Sequence, residues 1–108
     1  MQPEQKQQIE RMLEMMRATM IAKGHDYAGA DTLANFKEVN RIGISTPKSI
    51  FVRLSDKYMR LSRFLSTDDL KVKDEQIEDT LLDLANYAVL MSVALKENKT
   101  EDKIQAKP

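Results

Sequence analysis

Cysteine is missing from this chain of 108 residues, and so is tryptophan; histidine occurs once, glycine and proline three times each. Without cysteine there is no disulfide framework and no thiolate metal site. One histidine makes a multi-histidine zinc site within one chain a poor expectation. The charge of one sign that marks nucleic-acid binders is also missing: 17 basic residues balance 17 acidic ones. That balance speaks against broad capture of DNA, RNA or an anionic membrane. No apolar run reaches the roughly 20 residues that span a bilayer, and no stretch reads as a secretory signal. The expectation is a cytoplasmic protein with no membrane partner and no long nucleic acid.

Few glycines and prolines leave few breaks, and helical periodicity dominates. A first helix is expected from Pro3 to about Lys23, with Ile9, Met12, Leu13, Met16 and Met20 as its apolar stripe and Gly24 as its stop. After a loop over His25 to Ala30, Asp31 can cap a short helix from Thr32 to about Arg41, closed by Gly43. Ser45 or Thr46 then caps a third helix, with Pro47 at its first position and Leu65 near its end. Its core stripe is expected to be Ile50, Leu54, Tyr58, Leu61 and Leu65. Asp74 can cap a last helix that runs to about Glu97. The fold expected is all-α: a small bundle of three long helices and one short one. Residues 1–97 form one domain in this reading, and 98–108 a polar tail. The last helix carries two adjacent apolar seams, one through Ile77, Leu81, Leu84, Ala88, Met91 and Leu95, the other through Leu82, Ala85, Val89 and Val93. So wide an apolar arc is central or covered by a second subunit, so a homo-oligomer is expected.

Three segments carry possible chemistry. Lys23, His25, Asp26, Tyr27, Asp31, Asn35 and Phe36 crowd around two glycines between helices. They offer a cation, an aromatic surface and amide donors, which suit a base and a phosphate. The plainer alternative makes the aspartates turn and cap residues and the aromatics core. Next, Arg53, Asp56, Lys57 and Arg60 stand at i, i+3, i+4 and i+7. Three cations around one carboxylate can grip a phosphate. The alternative is a solvated face with pairing worth about 0.2–0.5 kcal/mol per pair.

The third segment is Glu75, Asp79, Asp83 and Asn86, which fall on one face of the last helix. Acidic residues near a helix start are ordinary, because the macrodipole favours them. Asp83 is different. It lies past the first two turns, between Leu82 and Leu84. An unpaired buried carboxylate is costly, so Asp83 should meet a metal, a cation or a ligand donor. Oxygen ligands alone would suit magnesium, held by Asp79, Asp83 and Glu75. A pair with Lys57, Arg53 or Arg60 is the competing reading. The four methionines of the first helix read as core filler.

Taken together, Lys23, Asp26, Tyr27, Asn35 and Phe36, then Arg53, Asp56, Lys57, Arg60 and Leu61, then Asp79, Thr80, Asp83, Leu84, Ala85, Asn86 and Tyr87 make an ordered pattern. It resembles the first nucleotide modification-associated domain family, common in phages, over about residues 23 to 90. More remotely, the layout is similar to the all-α nucleoside triphosphate pyrophosphohydrolases of the MazG and dimeric dUTPase group. Those hold magnesium with a Glu-Glu-x-x-Glu helix and a Glu-x-x-Asp helix. Here the third helix supplies Asp56 alone among cations, and Asp79 and Asp83 stand four apart rather than three.

The resemblance implies a small phage-type protein, in the host cytoplasm, that grips a phosphorylated nucleotide or nucleotide-derived signal and sequesters it. Its ligand residues would be Lys23, His25, Asp26, Tyr27, Asn35, Phe36, Arg53, Asp56, Lys57, Arg60, Asp83, Asn86 and Tyr87. The alternative is a magnesium-dependent nucleotide pyrophosphohydrolase, with magnesium as its cofactor.

Overall fold

A computed structural model describes residues 1–26, 31–67 and 74–105, with side chains described for 1–22, 31–67 and 77–98. Among these residues lie four α-helices, one 3-10 helix and no strand. The all-α expectation holds, with three long helices and a short one. No helix among the described residues is long and apolar enough to cross a membrane. The chain divides into two compact units, Met1–Thr32 and Leu33–Pro108.

The first unit is built on α1, Pro3–Asp26. It runs through Gly24, so that glycine does not stop it. Glycine inside a helix costs about 1 kcal/mol relative to alanine, which a long helix absorbs. Met12, Met16 and Met20 are half-buried as expected, but Ile9 and Leu13 are exposed.

The second unit begins with α2, Ala34–Lys37, which tightens at once into a 3-10 helix over Glu38–Ile42. Leu33 rather than Asp31 occupies the cap position, and it is buried, so packing anchors this start. Gly43 does end the segment. Its φ of 84° is left-handed, its N–H donates to the Asn40 carbonyl at 3.1 Å, and the Ile44 N–H donates to the Val39 carbonyl at 3.2 Å. A side chain would be strained at that φ, although a Cβ there would meet nothing.

Helix α3 spans Thr46–Thr67. Ser45 is the cap, its Oγ accepting from the Lys48 N–H at 3.3 Å. Thr46 is therefore the first residue and Pro47 the second. The buried face differs from the expected stripe. Ile50 is fully buried and Leu54 and Leu61 are half-buried, but Tyr58 and Leu65 are exposed. Lys57 and Phe64 take their places. The inward set thus runs Ile50, Leu54, Lys57, Leu61, Phe64, the spacing of a two-helix seam.

Helix α4 spans Asp74–Gln105. It continues past Glu97 to Gln105, into the stretch expected to form a polar tail. Its inward residues include Leu82, Asn86 and Ala94, all buried, whereas Leu81, Val89, Val93 and Leu95 are exposed. Each expected seam is therefore split between core and surface.

The core joins Leu33, Ile50 and Ala94, with Phe36, Tyr87, Leu90 and Met91 packed against them. Lys57 meets Asp83 while Ile50 clusters with Ala94, so α3 and α4 run antiparallel.

Candidate functional site

Two turns from the apolar cluster, the α3–α4 seam turns polar. Lys57 Nζ lies 2.8 Å from Asp83 Oδ2, with side-chain exposures of 21% and 29%. Those values separate this pair from a screened surface contact, which is worth little. They also spare it the full penalty of burying two ions. The lysine stem lies in the seam and its ammonium meets the carboxylate. Asp83 therefore has the partner its position demanded, and of the alternatives it is the cation on α3.

Arg53 and Arg60 lie within about 60° of Lys57 on α3. Both are exposed, as is Asp56. None of the three makes an ion pair among the described residues. The i, i+4 pairing of the plainer alternative does not form. Arg53 instead holds its guanidinium 5.9 Å from the centre of the Phe36 ring. Such a contact is worth about 0.5–1 kcal/mol at exposed sites. Phe36 in turn meets Tyr87 edge to face, centroids 6.3 Å apart and planes at 88°. Phe36 packs on the core, as the plainer alternative had it, and so does Tyr87, yet Phe36 also carries the arginine.

Asn86 is the exception among the buried polar groups. It is 4% exposed, and neither Nδ2 nor Oδ1 has a hydrogen-bond partner among the described residues. Each unmet group costs about 1–3 kcal/mol relative to water. By contrast, the buried Thr46 donates its hydroxyl to Asn40 Oδ1 at 3.4 Å. Helix geometry sets Asn86 about 60° from Asp83 and one turn along α4.

The structure thus makes two groups, Arg53–Phe36–Tyr87 and Lys57–Asp83, four residues apart on each of α3 and α4. Asn35 is exposed and makes no hydrogen bond or ion pair with either group among the described residues. Asp79 is exposed and joins no ion pair among the described residues. The expectations for the Lys23, His25, Asp26 and Glu75 side chains, and for Tyr27 altogether, lie outside the described residues. Among the described residues no three histidine or acidic side chains converge to hold a metal ion.

Sequence reasoning overlooked a second polar place. A hollow of about 280 Å³ opens beside the start of α3, lined by Lys37, Asn40, Ser45, Thr46 and Glu97 among others. Lys37 Nζ and Glu97 Oε2 pair there at 3.2 Å. The cap at Ser45 and the break at Gly43 signal a corner, but nothing in local sequence brings Glu97 to it. No family model, curated protein or solved structure matches this chain.

Proposed function

We propose that this protein binds a phosphorylated nucleotide or a nucleotide-derived signal at the α3–α4 seam and holds it without turning it over. The observation that carries the reading is the sheltered Lys57–Asp83 pair flanked by Arg53 and Arg60, whose charges no carboxylate among the described residues neutralises. Guanidinium groups recognise phosphate in bidentate fashion, and a lysine adds a point charge. Asp83 keeps Lys57 oriented. The Phe36 ring, with Arg53 above it, supplies a flat surface next to the cations.

The family resemblance adds context to this reading: a phage-type protein acting in the host cytoplasm, whose role is sequestration. We extend it to a homo-oligomer. Exposed Leu81, Val89, Val93 and Leu95 on α4, with Phe51, Val52 and Met59 on α3, support that extension. Apolar surface of this extent is usually covered by a partner.

The test is calorimetric titration with nucleoside mono- and triphosphates and cyclic nucleotides, in excess EDTA and again with magnesium. Binding in EDTA with the ligand recovered intact supports the binder. Release of pyrophosphate that requires magnesium supports the hydrolase instead. Arg60→Ala and Asp83→Asn should each weaken binding about tenfold or more, the usual loss for a charge-assisted contact. Unchanged affinity in both variants would remove the seam as the site and leave Lys57–Asp83 as an interhelix lock.

A further inference from the structure

We infer that Asn86 is a ligand-reading residue: its carboxamide recognises a planar group with a hydrogen-bond donor and acceptor side by side, as on the edge of a nucleobase. This rests on the nucleotide reading of the seam and deepens it, by separating the group that reads the base from the cations that hold phosphate.

A buried side-chain amide in a helix seam ordinarily serves structure by bonding to backbone or to another side chain. Asn86 does neither among the described residues, with both polar atoms closed off and 4% of the residue exposed. Its donor and its acceptor are unmet together. That is the pattern a carboxamide needs to make two parallel bonds to one planar partner, as asparagine does with adenine. Atoms enclosed to this degree are reached when the helices part locally, and a flat group entering beside the Lys57–Asp83 pair, one turn from Asn86, would meet both of them. In the antiparallel register Asn86 falls near the level of Arg53, one turn from the Lys57–Asp83 pair. Leucine has nearly the shape of asparagine without its polar atoms, so the unliganded protein should fold better with leucine at this position. An unmet buried amide costs the unliganded protein stability, which is common at residues that serve binding.

The experiment compares wild type, Asn86→Leu and Lys57→Met by thermal unfolding and by titration. The probes are ATP, GTP, CTP, UTP and inorganic triphosphate, which has phosphates but no base. Wild type should bind one of the nucleotides more tightly than inorganic triphosphate. In Asn86→Leu that base-dependent advantage should fall by roughly tenfold, the discrimination a bidentate contact supplies. Inorganic triphosphate should bind it as it binds wild type, and its Tm without ligand should equal or exceed that of wild type. Lys57→Met should lose affinity for every probe.

A lower Tm, or failure to fold, in Asn86→Leu would overturn the inference by giving Asn86 a structural role. So would a base-dependent advantage that survives in Asn86→Leu, and in that case the phosphate reading would stand if Lys57→Met still lost affinity. Should no probe bind wild type, the nucleotide reading itself fails and takes the inference with it.

Discussion

Two levels of the same helix pair behave in opposite ways. At one, Ile50 of α3 and Ala94 of α4 close on Leu33 with essentially no exposure. At the other, seven residues further along α3, Lys57 meets Asp83, and the Asn86 side chain lies buried with no hydrogen-bond partner among the described residues. The separation is only about 10 Å along the helix. The first level is what a helix seam needs in order to be stable. The second costs stability: it spends buried positions on a lysine, an aspartate and an amide where leucines would pack. A seam that is dry at one end and polar at the other is anchored by the dry end, which leaves the polar end free for recognition.

Mutations can break this contrast. The largest effect should come from Ile50→Ala, which empties the dry level. Loss of a fully buried isoleucine costs about 2–5 kcal/mol, read as a fall in the urea midpoint at unchanged m-value. Second is Asp83→Ala, which leaves the half-buried Lys57 ammonium without its carboxylate. Because both side chains retain some solvent, a loss of about 1–2 kcal/mol is expected rather than the larger cost of a fully buried pair. The double variant Lys57→Met with Asp83→Leu sharpens the point. Removing both charges should recover most of that loss, to within about 1 kcal/mol of wild type, while nucleotide binding stays lost. Recovery of binding would mean that the pair has no part in the site. The smallest effect belongs to Lys37→Met. Its pair with Glu97 is about a third exposed or more on each side, so less than about 0.5 kcal/mol is expected from thermal unfolding.

Much of the fold was legible because helix signals are local. The glycine stop at Gly43, the serine cap at Ser45 and the long apolar-periodic stretches all lie where the sequence pattern puts them. The misses have local causes of their own. Gly24 looked like a stop, but glycine only weakens a helix. Asp31 looked like a cap, but burial of Leu33 anchors the next helix instead. On α3, choosing apolar residues led to Tyr58 and Leu65, which are exposed. The true inward position is Lys57, and a lysine reads as surface until its partner is known. For the site, residues were easier to pick than partners. Asp83 stood out as a carboxylate among leucines, yet metal, cation and ligand were equally open for it.

What the sequence determined by itself is the all-α class, the run of helices and the demand that Asp83 be compensated, because periodicity, caps and the cost of a buried charge act within a few residues. Only the tertiary structure decided how that demand is met. It set α3 antiparallel to α4, which brought Lys57 to Asp83 across 26 residues of chain and Arg53 over Phe36. It also left the Asn86 side chain buried without a hydrogen bond among the described residues. Pairing between helices depends on register and rotation, and those are fixed by the packing of whole faces rather than by any one segment.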